Sequence, residues 1–191
     1  MESHDREPAP GDLRLVQEFV NTLDIELGRD DLASPDLLAA WLDRHGPLAA
    51  GASVTEADRR HAVEVREALR ALLLAHNGAE LDAQAAATLN RAAEATPLYV
   101  HMLPDGGANL AASASGVQGA MGKLLAIVFT AMTTGTWSRL KACRDDACQW
   151  AFYDHSKNRS GAWCSMAVCG NRTKTRAYRQ RARANVPSPE R

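Results

Sequence analysis

Four cysteines, Cys143, Cys148, Cys164 and Cys169, make up the whole cysteine complement, spaced C-x4-C-x15-C-x4-C as two matching pairs around a fifteen-residue loop. The pattern predicts a single tetrahedral metal site, although the spacing within each pair is wider than the usual C-x2-C. Zinc is the expected occupant, because soft thiolates select it and four sulfurs close the coordination shell against water and substrate, which makes the site structural. Two disulfides are the alternative. Met1 to Pro10 is polar and acidic with no apolar core of a signal peptide, so the expectation is a reduced, cytoplasmic compartment that disfavours them. His155 is a further candidate ligand, but four cysteines already fill a tetrahedron, and it is expected to be exposed or to sit behind the ligands.

The chain has 191 residues, enough for one domain of roughly 130 to 140 residues and a small appended module. Its net charge of −1 hides a partition: Met1 to Ser138 holds ten Lys/Arg against nineteen Asp/Glu (−9), and Arg139 to Arg191 holds twelve against four (+8). Four thiolates and one Zn²⁺ would bring the second part to about +6, still attractive to polyanions such as DNA. A membrane role is not expected. The most apolar stretch, Leu124 to Met132, falls far short of the ~20 residues a spanning helix requires and reads as a core helix.

The fold class expected is mostly α, a multi-helical N-terminal domain with one small β-hairpin and a C-terminal zinc module ending in a basic helix. Apolar Leu13, Val16, Phe19, Val20, Leu23 and Leu27 recur at helical steps and predict a first helix from Asp12. Ser34-Pro35 opens a second, stopped by Gly46-Pro47; Ser53 and Glu56 have capping-box spacing for a third, stopped by Asn77-Gly78; and Leu81 to Glu94 predicts a fourth. Leu98 to Leu103, a turn at Pro104 to Gly107 and Asn109 to Ala111 read as the hairpin. Helix resumes over Gly116 to Thr134, where Gly116, Gly119 and Gly122 permit either close backbone approach or a frayed start. The expected domains are 12–136 and 137–185, with 1–11 and 186–191 disordered.

Within the zinc module, Gly170 follows the last cysteine, where positive φ would turn backbone amides toward the thiolates, and Asn171 is placed to cap a helix running to Ala184. That helix carries Arg172, Lys174, Arg176, Arg179, Arg181 and Arg183 with no acid among them, the candidate nucleic-acid contacts. Arginine suits bidentate phosphate and guanine contacts, and a solvated charged helix is the plainer reading. Trp150, Phe152, Tyr153 and Trp163 are expected to form the module's small core, with stacking platforms as the alternative, and Asp154, Ser156, Asn158 and Arg159 to make turn bonds in the loop, with base or anion contacts as the alternative.

The run Trp137 to Arg181, with Cys169-Gly170-Asn171-Arg172, resembles the CGNR zinc finger. Upstream, Phe19-Val20-Asn21-Thr22 and Arg66-Glu67-Ala68-Leu69-Arg70 resemble the ABATE domain that accompanies this finger in bacterial proteins described as stress-induced transcription regulators. The resemblance implies that the four cysteines hold zinc and that the protein binds DNA. Gly161-Ala162 departs from it, standing where basic residues are expected before Trp163.

Two functional readings follow. The first is a DNA-binding regulator whose helical domain senses a small-molecule effector or forms a homodimer. The alternative makes the helical domain an enzyme or ligand carrier and the zinc module a clamp, with Arg172 as an internal salt-bridge partner. No Walker loop, G-x-S-x-G or H-E-x-x-H supports catalysis. A ligand pocket lined by Asn21, Arg66, Arg70 and His101 is one candidate site in the body; RNA or an acidic protein surface are other partners a basic helix would accept. His76, near a helix C-terminus where the dipole favours a cation, is read as structural.

Overall fold

The computed structural model describes residues 6–45 and 53–184. The first apolar stripe does not make one helix. α1 spans Leu13–Val20, and the chain then turns into a short antiparallel ribbon of β1 (Leu23–Asp24) and β2 (Arg29–Asp30). Local bonds explain the break. The Thr22 hydroxyl donates to the Phe19 carbonyl at 2.8 Å, the Asp24 carboxylate accepts from the Leu27 amide at 3.0 Å, and Gly28 supplies φ +64°. Leu23 therefore sits in a strand and Leu27 is 72% exposed, so apolar spacing outran the helix that α1 forms.

α2 (Pro35–His45) begins as expected after Ser34, whose hydroxyl accepts from the Leu37 amide; its proposed stop at Gly46-Pro47 lies outside the described residues. α3 (Glu56–Ala75) is capped by Thr55 rather than Ser53. Thr55 Oγ1 accepts from the Asp58 amide while the Asp58 carboxylate accepts from the Thr55 amide, a reciprocal pair at the spacing of a capping box. α4 (Ala83–Ala95) follows an Asp82 cap.

The hairpin forms where expected, β3 (Leu98–Met102) against β4 (Ala108–Ala112), and β4 packs on α5 (Gly116–Thr133). Half of α5 is buried, and its contacts with α1, α3 and α4 make it a core helix. Its glycines divide by role. Gly116 takes φ +63° in open space at the helix start, whereas a Cβ on Gly122 would meet Thr96 Cγ2 at 2.5 Å and Ala112 Cβ at 2.8 Å. Gly122→Ala should accordingly push α5 off the hairpin and destabilise the fold by ~1–3 kcal/mol, seen as a lower urea midpoint with an unchanged m-value. An unchanged midpoint would show that the approach is not tight.

The C-terminal part contributes a third ribbon, β5 (Leu140–Ala142) with β6 (Ala151–Tyr153), a π-helical turn at Met166–Gly170, and α6 (Asn171–Ala184). Strands of three residues are too short to leave a periodic signal in the sequence. Their alternation splits the aromatic cluster: Phe152 points toward the four cysteines with Trp150 and Trp163 beside it, while Tyr153 on the opposite face joins Leu140, Trp137, Phe19 and Leu69 in the core of the helical body. The finger is thus built into the body's core instead of hanging from it.

Polar bonds reinforce the seam. Asn77 Nδ2 donates to the Ala142 and Ala162 carbonyls, both at 2.8 Å, and the Asn21 amide bonds Ala151 in both directions, at 2.9 and 2.7 Å. His76 Nδ1 donates to the Leu140 carbonyl at 2.8 Å and its ring stands edge-on to Trp137; burial pushes its pKa down, so this structural histidine is neutral rather than a dipole-stabilised cation. Residues 6–11, expected to be disordered, are pinned across the finger: Arg6 lies 4.6 Å above the Phe152 ring, its Nε donates to the Cys164 carbonyl, and Ala9 is buried. Met1 to Asp5 and 185–191 lie outside the described residues.

Candidate zinc centre and basic helix

β5 delivers Cys143 to the end of the strand, and a tight turn brings Cys148 back before β6. The Cys143 amide donates to the Trp150 carbonyl at 3.0 Å, the Cys148 amide to the Asp145 carbonyl at 2.8 Å, and Gln149 adopts φ +49° to close the knuckle. The second pair comes from the other side. Cys169 rides on the π-helical turn, whose start is capped by the Ser165 hydroxyl accepting from the Val168 amide.

All four sulfurs lie within 4.8 Å of one another, with Cys148 to Cys164 at 3.5 Å and Cys164 to Cys169 at 3.6 Å. A tetrahedron of Zn–S bonds of ~2.3 Å has edges of ~3.8 Å, which these separations match and which no disulfide does. Every cysteine is buried and free of a disulfide. Bonds from Cys148 and Cys164 hold the Cys143 thiol far below its ordinary range, and the same crowding pushes Cys148 and Cys164 up. Four sulfurs this close become thiolates together only around a cation, so the donor set fits a structural zinc ion. His155 is exposed as expected, its Nε2 3.2 Å from the Glu7 carbonyl.

Gly170 does not take positive φ. The π turn runs directly into α6, and a Cβ at Gly170 would collide with Met166 Sδ and crowd Trp163 Cδ1, so the position needs glycine for room. Asn171 is likewise inside the continuous helical run, its side chain donating back to the Ala167 carbonyl.

Arg172 is the hub of the module. Its Nε meets Asp145 Oδ2 at 2.5 Å, Nη1 and Nη2 meet the two oxygens of Glu26 at 2.7 and 3.0 Å, and Nη2 also donates to Cys169 Sγ at 3.3 Å. One guanidinium thus joins a zinc ligand, the knuckle between the first cysteines, and the β1–β2 turn of the body. The Glu26 carboxylate, with Cys169 and Asp145 behind it, raises the Arg172 pKa further still. Arg176 adds a second bond to Asp145, 3.0 Å to Oδ1. Asp145 lies in plain view between Cys143 and Cys148; Glu26, 146 positions away from Arg172, left no signal in the sequence.

From Ala177 to Ala182 every side chain of α6 is exposed, and Lys174 faces solvent between the two anchoring arginines. Lys174, Arg179 and Arg181 are exposed, and among the described residues none of them forms an ion pair; Arg181 Nε bonds only the Ala177 carbonyl of its own helix. Arg183 falls in the last turn, its side chain outside the described part of the molecule. The six candidate contacts therefore split, with Arg172 and Arg176 committed internally and Lys174, Arg179 and Arg181 facing solvent.

Three of the four candidate pocket residues meet at the seam. Arg70 donates to the Val20 and Gln149 carbonyls at 2.7 and 3.0 Å, and Arg66 forms a two-pronged pair with Asp30 at 2.6 and 3.1 Å. With Asn21 on Ala151, they spend their polar groups on the protein itself. His101 stands exposed on β3 and does not join them. In the loop between the cysteine pairs, Asp154 makes the turn bonds expected of it, accepting from the Ser156 and Gly161 amides at 3.1 and 2.7 Å.

A helical body sharing one core with a four-thiolate module defines a zinc-finger protein in which the metal site orients an appended basic helix. The CGNR zinc finger model matches residues 139–182, and the ABATE model, described as a putative stress-induced transcription regulator, matches residues 13–135. The chain belongs to the ABATE family and carries a CGNR zinc finger. No curated protein matches it.

Proposed function

We propose that this protein is a bacterial, cytoplasmic transcription regulator that binds DNA through the solvent-facing cations of α6, with the helical body acting as its sensing or dimerisation part. The observation that carries the reading is the division within α6. Arg172 and Arg176 fix the root of the helix to Asp145 and Glu26, while Lys174, Arg179 and Arg181 stand in solvent without acid partners among the described residues. A helix held at its root loses less entropy on binding than a tethered tail, and its 14 residues extend ~21 Å, long enough to follow several phosphates. The clamp reading thereby becomes a component of the DNA reading: Arg172 aims the helix that the other cations use.

The test is salt dependence. Binding of the zinc-loaded protein to random-sequence duplex DNA should weaken steeply with salt, log K falling by ~0.9 per neutralised phosphate for each tenfold rise. Lys174→Ala, Arg179→Ala and Arg181→Ala together should lower that slope by up to ~2.7 with zinc content unchanged. No DNA binding at low salt, or an unaltered slope in the triple variant, would remove the proposal.

A further inference from the structure

A cleft of about 460 Å³ opens between α1, the β2 segment, the end of α2 and the finger's Trp150. Three arginines reach it from three different elements: Arg14, Arg29 and Arg44. That convergence runs against the body's charge, in which ten cations face nineteen acids over Met1 to Ser138. Glu18 pairs with Arg14 at 2.7 Å and Asp31 with Arg29 at 3.5 Å, whereas Arg44 forms no ion pair among the described residues. The cleft therefore keeps one positive charge in excess. Its wall is aromatic: the half-buried His45 ring, backed by the buried Trp41 with centroids 4.3 Å apart, and the half-buried Trp150 on the side supplied by the finger. Its floor is already satisfied, since Gln17 and Asn21 bond the Ala151 backbone.

We propose that this cleft binds a small aromatic carboxylate, with the Arg44 guanidinium on the carboxylate, the loosely paired Arg29 beside it, and the ring against His45 and Trp150. Guanidinium bonds to a carboxylate are charge-assisted and two-pronged, and an aromatic wall favours a flat apolar partner over a bare inorganic ion. The proposal rests on the regulatory reading only for its purpose. A ligand seated there touches α1 and α2 of the body and Trp150 of the finger, the residue whose carbonyl accepts from the Cys143 amide, so occupancy reaches the module that aims α6.

The experiment uses the full zinc-loaded chain, with benzoate and phenylacetate as probes and benzamide and phenylacetamide as uncharged controls. Calorimetry and quenching of tryptophan fluorescence read binding. Both acids should bind, the amides about tenfold or more weaker; Arg29→Ala with Arg44→Ala should weaken the acids by a similar factor and leave the amides unchanged. Arg29→Gln and Arg44→Gln, tested singly, keep the measurement open should the double variant fold poorly; both side chains are exposed. Equal affinity for acid and amide, an unchanged affinity in the arginine variants, or no heat and no quenching by either acid at millimolar concentration overturns the proposal. DNA is absent from this assay, so its failure leaves the DNA reading standing, and the reverse holds as well.

Discussion

Chelating the zinc is expected to unfold the body together with the finger. Removing the ion leaves four buried sulfurs within 4.8 Å of one another and no charge to hold them there. Structural zinc in small modules contributes ~10–16 kcal/mol of apparent folding free energy, as much as the whole stability of an ordinary domain, ~5–15 kcal/mol. The loss does not stay local, because Leu140, Ala142 and Tyr153 share one core with Phe19 and Leu69, and Asn77, Asn21 and Arg70 bond the finger's backbone. In thermal melts, a chelator or Cys169→Ser should lower the midpoint by more than ~20 °C, with the helical signal and the tryptophan emission changing together. A body that melted at its original temperature after metal removal would show that the two parts are energetically separate.

Lys141→Met is the second large effect. Lys141 and Asp154 form a buried pair at 2.8 Å, with side chains 6% and 0% exposed, and the ammonium also donates to the Arg159 and Gly161 carbonyls at 2.6 and 3.1 Å. Removing one partner of such a pair strands the other, at a typical cost of ~3–5 kcal/mol. Burial alone would raise the Asp154 pKa, but the bonds from Lys141, Ser156 and Gly161 win and hold it well below the carboxylate range. A carboxyl depressed in the folded state contributes stability that is complete above its unfolded pKa, ~3.9, and is lost as pH falls through the folded value. Without Lys141 the Asp154 pKa rises and protonation relieves the stranded charge. Urea unfolding at pH 7 with zinc in excess, where both states carry the Asp154 charge, should therefore show Lys141→Met less stable than wild type by ~3–5 kcal/mol. A gap below ~1 kcal/mol would contradict a buried charge at Asp154.

Several features were legible because they depend on near neighbours. The cysteine spacing announces the zinc site, and the apolar steps along α3 and α5 announce core helices. Short-range polar bonds override periodicity at two places. Thr22 and Asp24 end α1 before its stripe ends, and Asp58 selects Thr55 over Ser53 as the cap of α3. The strands of the finger are too short for their pattern to register, so the sequence groups Tyr153 with the finger's aromatics although it packs in the core of the body.

The basic helix marks the boundary between the two sources of information. Sequence alone determines that α6 is a cationic helix beginning at the last zinc ligand, since helix propensity, charge and ligand spacing are all set within a few residues. Tertiary structure decides which of its cations are available. Glu26 meets Arg172 only because the β1–β2 turn and the zinc knuckle are packed side by side on the body, and Asp145 is buried where it reaches both Arg172 and Arg176. Such pairings depend on which surfaces the shared core brings together, and separation along the chain carries no trace of them.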